Sequence, residues 1–214
     1  MKRITFVLTL FFLSNAVFAQ NAPLGKDVLS DFSKKMQSLQ NLTATFTFTL
    51  ENLKENITDS HEGKIVVSGK KYYLKLMGME VYFDGTTKWQ YIDEAKEVTV
   101  TTPTSLDGGF LDDPTKIFSS YEKDFKSKFI GEKYERNKQL YEVDLYPIDL
   151  KVAYSIIKLT FNKKNLEPET IKYQGKDGNN YIIQVKNFRS NTNVKDDQFT
   201  FSPGKKKIEV IDLR

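Results

Sequence analysis

Apolar and polar residues alternate along most of this chain. The run Leu42-Thr43-Ala44-Thr45-Phe46-Thr47-Phe48-Thr49-Leu50 is nearly strict at period two. In a strand this sets Leu42, Ala44, Phe46, Phe48 and Leu50 on one face and four threonines on the other. Threonine favours strands and tolerates water, so the segment reads as a half-buried strand. Similar runs recur at 62–68, 70–77, 79–84, 87–92, 96–102, 126–133, 139–146, 154–162, 169–175, 180–188, 198–201 and 207–213. Turn residues separate them: Gly69, Gly78, Asp84-Gly85, Arg136-Asn137, Asn162 to Asn165, Asp177-Gly178-Asn179 and Pro203-Gly204. Many short strands with short connections predict a meandering antiparallel sheet.

Two segments break the alternation. Residues 26–40 place Val28, Leu29, Phe32, Met36 and Leu39 at helical spacing with polar residues between them, which predicts an amphipathic helix. Within 103–125, Asp113-Pro114 supplies an N-cap and a proline at the first helical position. Ile117, Phe118, Tyr121 and Phe125 follow at helical spacing. Leu106-Asp107-Gly108-Gly109-Phe110-Leu111 precedes that helix, and its adjacent glycines make it a candidate hinge. The same stretch reads equally as a surface connection whose helix covers sheet core.

The first nineteen residues have a different character. Lys2 and Arg3 precede a mostly apolar run, Ile4 to Val17, and Val17-Phe18-Ala19 then offers small or β-branched residues. This is the pattern of a secretory signal peptide cut after Ala19. The apolar run is too short to span a bilayer comfortably. The expected product is one exported, soluble domain, residues 20–214, with no linker or internal repeat to divide it. Gln20 stands where a lipoprotein signal requires cysteine, so the chain is not itself expected to be acylated.

Charge and chemistry narrow the function further. Of 32 basic residues, Lys2 and Arg3 belong to the signal, which leaves 30 against 28 acidic ones. Both signs are interspersed, so a nucleic-acid surface is not implied. The run Lys205-Lys206-Lys207 reads as a solvated turn, or alternatively as a contact for anionic headgroups. There is no cysteine, which excludes disulfides, thiol nucleophiles and thiolate metal sites. His61 is the sole histidine and sits in the polar stretch Thr58 to Glu62, read as a turn; a lone histidine makes a zinc site improbable. Adjacent Asp59, Ser60 and His61 cannot converge as a triad does. Asp112-Asp113 is better explained by capping than by paired-carboxylate catalysis. No phosphate loop or dinucleotide fingerprint is present, so nothing nominates an enzyme or a cofactor. What remains is a sheet rich in large apolar residues, with 16 Phe and 11 Tyr, whose concave face must be filled, lidded or used for binding.

Several segments resemble the outer-membrane lipoprotein carrier family, the LolA type. Tyr82-Phe83-Asp84-Gly85-Thr86-Thr87-Lys88-Trp89-Gln90-Tyr91 is similar to its strand–turn–strand hairpin. Phe32, Leu39, Leu42, Ala44 and Phe46 resemble its first helix and first strand. Gln198-Phe199-Thr200-Phe201-Ser202-Pro203 resembles a segment near its C-terminus, and Glu209 to Arg214 resembles the ending of one branch. The matches run in the expected order over nearly all of residues 20–214.

The resemblance implies a mainly β (α+β) fold: a curved antiparallel sheet forming a half-open barrel, with helices covering its mouth. It implies a monomeric periplasmic carrier. Such a carrier takes acylated lipoproteins from a lipoprotein-releasing ABC transporter of the inner membrane and hands them to the outer membrane, with or without an acceptor there. Exposing a 16-carbon acyl chain to water costs on the order of 10 kcal/mol, so such cargo cannot cross an aqueous gap bare. The inward-facing lipid-binding candidates are Phe46, Phe48, Leu74, Leu76, Val81, Phe83 and Trp89; the lid candidates are Phe110, Leu111, Ile117, Phe118 and Tyr121. Where better-known members carry Arg-Pro after the second strand, this chain reads Ser68-Gly69-Lys70-Lys71-Tyr72-Tyr73. Lys70 or Lys71 stands in for the latch arginine but lacks its planar fork. The alternatives are an exported binder of another lipid or of a hydrophobic small molecule, an exported enzyme, and a structural envelope protein.

Overall fold

A computed structural model describes residues 21–103, 115, 121–204 and 207–214. The signal peptide and most of the proposed lid lie outside the described residues. Helix α1 (Asn21–Gln37) leads into twelve strands. They are β1 (Asn41–Asn52), β2 (Ile57–Ser68), β3 (Lys71–Leu76), β4 (Met79–Phe83), β5 (Lys88–Ile92) and β6 (Glu97–Thr101). After a single helical turn, α2 (Tyr121–Asp124), come β7 (Phe125–Glu135), β8 (Lys138–Pro147), β9 (Tyr154–Asn162), β10 (Pro168–Gly175), β11 (Asn179–Ser190) and β12 (Glu209–Asp212).

All twelve strands form one open, curved sheet in the order β12-β6-β5-β4-β3-β2-β1-β11-β10-β9-β8-β7. Two meanders, β1 to β6 and β7 to β11, are joined by the pairing of β1 with β11. The antiparallel expectation holds except at one edge, where β12 runs parallel to β6. The other edge, β7, carries Lys126, Lys128 and Lys133 and a bulge at Phe129–Gly131, features that blunt an edge against pairing with another chain.

Three local expectations change. Residues 58–62 are not a turn: β2 begins at Ile57, and His61 lies within it, opposite Phe48. Residues 198–201 are not a strand. Asp196–Phe199 wind into a 3-10 turn, closed where the Thr200 N–H donates to Asp197 O, because Phe199 is buried by turning inward, not by pairing. Strand β7 begins at Phe125, so the helical reading of 113–125 ends at Asp124, and of its earlier part only Thr115 and Tyr121 onward are described. The expected helices over the mouth reduce, among the described residues, to α1 and the single turn α2.

The register sorts side chains onto two faces. Cross-strand neighbours share a face, so the row Phe129, Val143, Leu159, Ile171, Ile183 and Phe48 runs across six strands on the inner side. The inner side is the main core, and Val28, Leu29, Phe32 and Met36 of α1 pack into it. A smaller core lies on the outer side. There Val66, Tyr91, Val98, Val100 and Phe199 are buried as well. The segment after β11 crosses this outer face on its way to β12. Its 3-10 turn packs on β3 and β4, and Phe201 stacks on Tyr91 with ring centroids 5.2 Å apart.

Gly63 is placed on the inner side opposite Phe46. A Cβ there would meet the Phe46 ring at 2.3 Å, and that ring is 1% exposed with no room to retreat. Gly63→Ala is expected to destabilise the fold by about 1–3 kcal/mol despite alanine's lower backbone entropy cost, read as a lower urea midpoint at unchanged slope.

Candidate functional site

The inner face is an apolar surface on which, among the described residues, α1 and Tyr121 of α2 pack. Phe46, Phe48, Leu74, Leu76, Val81 and Phe83 all point to it, since Phe83 pairs with Tyr72, Val81 with Leu74, and Phe46 with Gly63, itself paired with Leu76. All six are buried within the main core. Trp89 is not among them. It pairs with Tyr82 and Val100, which lie on the outer face. The reason is parity: Phe83 pairs directly with Lys88 across the Asp84–Thr87 turn, so Lys88 takes the inner side and Trp89 the outer one. The outer core beneath Phe201 explains why aromatic residues at 82, 89 and 91 face that way.

The second half of the inner face comes from β7 to β11, which the sequence-based candidates did not include. Ile157, Leu159 and Phe161 of β9 alternate as regularly as β1 does, and that was the available signal. Phe32 of α1 lies against this half, its ring centroid 4.5 Å from that of Phe161 and 6.0 Å from that of Tyr121. Tyr121, the one described lid candidate, is fully buried in the same cluster. Phe110, Leu111, Ile117 and Phe118 lie outside the described residues.

Polar chemistry is sparse here. Burial pushes the phenols of Tyr121 and Tyr173 well above their ordinary pKa, so both remain neutral hydroxyls at physiological pH. Burial raises Tyr154 in the same way. Ser33, on the buried side of α1, is 3% exposed, and its Oγ has no hydrogen-bond partner among the described residues. No group of three or more metal-ligating side chains converges among the described residues. His61 Nε2 lies 2.8 Å from Asp59 Oδ2, at the half-exposed rim of β2.

Where α1 ends and β1 begins, the inner face opens into a cavity of about 250 Å³. Met36, Leu39, Leu42 and Val67 supply its apolar wall; Gln37, Gln40, Asn41 and Thr115 supply an uncharged polar rim, and Gly69 closes one side. Lys70 is exposed at the turn beside Gly69. Lys71 is turned to the outer face, where its Nζ donates to Asp196 Oδ1 at 3.0 Å. It ties down the 3-10 turn, which removes it from the latch position that the resemblance implies.

An apolar sheet face beneath an amphipathic helix, with an opening that has no charged lining among the described residues, is the geometry of a site for hydrophobic ligands. A family model described as "Outer membrane lipoprotein carrier protein LolA" matches residues 15–179. The chain belongs to the LolA family. No curated protein matches it. Among solved structures, an uncharacterized conserved protein from Thermus thermophilus superposes with a TM-score of 0.57 at 11% identity, over 87% of this chain and 98% of that one. A LolA superfamily protein from Nitrosomonas europaea gives 0.43 at 11% identity, over 86% and 99%. At such identity the first of these shows the fold. LolA-family membership places this chain with binding and carrier proteins for hydrophobic ligands, in a family of the periplasm. No described helix is long and apolar enough to cross a membrane.

The orphaned hydroxyl weakens the seat of α1, because a buried unpaired hydroxyl carries its full desolvation penalty. Ser33→Ala removes it and improves helix propensity. The variant is expected to gain about 1 kcal/mol of stability, measured as a raised urea midpoint.

Proposed function

We propose that this chain is a periplasmic lipoprotein carrier. It binds the acyl chains of lipoproteins on the inner face of the sheet and shuttles them from an inner-membrane ABC transporter to the outer membrane. One observation carries the reading: among the described residues, the amphipathic face of α1, with Tyr121 of α2, packs on the apolar inner face beside a cavity that has no charged lining. Family membership supports it.

In this reading α1 occupies the ground that cargo takes. The 250 Å³ cavity lies below the ~300–1,000 Å³ usual for a ligand pocket, so cargo enters by displacing apolar cover. Phe32, Leu29 and Met36 are exchanged for acyl methylenes of similar transfer free energy, about 0.8 kcal/mol each, which keeps loading and release close to balance. The reading assigns the lid role to Phe110, Leu111, Ile117 and Phe118, which lie outside the described residues, and Lys70 is the cation placed beside the opening.

The small size of the cavity also favours a second reading, a binder of one lipid or one hydrophobic small molecule. Native mass spectrometry separates the two. After incubation with spheroplasts, the carrier reading expects a stoichiometric complex with an acylated lipoprotein, and none with the same lipoprotein whose acylated cysteine is replaced. Recovery of free phospholipid alone establishes the second reading; an empty protein rejects both.

Ser33→Ala gives an independent check. A better-seated α1 is expected to lower the affinity for a fluorescent acyl probe about fivefold, in proportion to the stability gained. Affinity that stays constant while stability rises removes α1 from the binding step.

A further inference from the structure

The two ends of the sheet are chemically unlike. Antiparallel order brings the connections β1–β2, β3–β4, β5–β6, β8–β9 and β10–β11 to one end, and β2–β3, β4–β5, β7–β8 and β9–β10 to the other, beside the cavity. At the cavity end the turns are polar: Gly69-Lys70, Asp84 to Thr87, Arg136-Asn137, and Lys163 to Glu167, whose Leu166 packs back on the core. At the opposite end three of five connections present large apolar side chains to water, and the last residue of β5, Ile92, does so at a fourth. Leu53 is 72% exposed, Met77 56% and Leu150 77%, and Ile57, Ile92 and Ile148 are exposed beside them. The other exposed large apolar residues, among those described, lie on or next to β7, β8 and β12.

Met77 adds an argument from the backbone. Leu76 pairs with Met79, so Met77-Gly78 is a two-residue turn, with φ of 53° and 76°. Such turns favour Asn or Asp before Gly, because a left-handed φ burdens other side chains. The equivalent two-residue turn at the cavity end, Arg136-Asn137 at φ of 50° and 60°, also departs from the rule at its first position but fills both positions with polar residues. Met77 instead sets a large apolar side chain in water at a position whose backbone favours Asn.

We propose that this end of the sheet docks on a lipid bilayer, with the tips at Leu53–Ile57, Met77, Ile92 and Ile148–Leu150 entering the interface. A bilayer suits them better than a protein partner does. The apolar residues stand on separate hairpins with charged residues between them, a spacing that a fluid surface accepts and a rigid groove does not. Charges on these connections nearly cancel, with Lys54, Lys96, Lys151 and Lys176 against Glu55, Asp93, Glu94, Asp149 and Asp177. Docking is therefore driven by apolar insertion and does not require anionic lipid, while the lysine stems reach up to the headgroups. The inference does not rest on the carrier reading, since it concerns the end away from the cavity and needs no cargo.

The test is flotation of the purified, cargo-free chain with phosphatidylethanolamine–phosphatidylglycerol vesicles at low and at high salt. The chain is expected to float at both. Leu53→Ser, Met77→Asn and Leu150→Ser combined are expected to weaken binding about tenfold or more. Tyr134→Ser, exposed at the cavity end, is expected to change nothing. Met77→Asn alone guards against misfolding as an explanation: it installs the residue that the turn prefers, so stability is expected to hold or rise while binding falls. Absence of flotation, loss of flotation at high salt, or undiminished binding by the combined variant would each overturn the proposal. Failure of lipoprotein capture with flotation intact would count against the carrier reading alone.

Discussion

Covering the inner face is the constraint on which the rest of this structure depends. The two meanders set rows of apolar residues side by side on one face, a surface too large to leave in water. Helix α1 meets the demand with four residues, of which Phe32 is fully buried against Phe161. Ser33, beside it, brings a hydroxyl into the same interface and finds no partner there. An alanine at that position would leave no such orphan, so the seat of α1 is apolar but imperfect.

The outer face is handled in the opposite way. There the segment after β11 is pinned at several points. Phe199 is buried, Phe201 packs on Tyr82 and Tyr91, the Lys71 ammonium bonds Asp196, and β12 adds main-chain hydrogen bonds along β6. Glu80 accepts from the Tyr82 hydroxyl at 2.6 Å and from Lys75 at 2.9 Å beneath the same strap. One sheet thus carries a layer tied by ion pair, ring contacts and strand pairing on one side and a layer seated by apolar packing on the other. Aromatic residues serve both, which is why aromatic content alone could not tell them apart.

Alternation in the sequence located every strand of the meanders within a few residues, and the helical spacing of Val28, Leu29, Phe32 and Met36 located α1. Face assignment was legible in β1, β3 and β4, where the polar partners are threonine, lysine or glutamate. It failed at β5, because Lys88-Trp89-Gln90-Tyr91 alternates just as well with its aromatic residues turned outward, and the pairing of Phe83 with Lys88 across the turn decides between the two. The 3-10 turn was hidden for a related reason: Gln198-Phe199-Thr200-Phe201 alternates like a strand, yet it is laid across the sheet and not added to its edge. Long-range pairing was beyond sequence periodicity altogether. Nothing in β12 announces that it runs parallel, since that depends on where its partner strand has been left unpaired.

The β1–β11 seam has a consequence in time. Leu42 pairs with Ser190, 148 positions further along, and the two meanders meet nowhere else in the sheet order. Closing so long a loop comes late and costs entropy before it returns contacts, so assembly of this chain is slow compared with a fold of local pairings. Until β11 arrives, β1 is a bare edge of alternating Phe and Thr. The threonine row that waters the outer side of β1 in the finished sheet therefore also keeps the unfinished one dispersed while it waits for its partner.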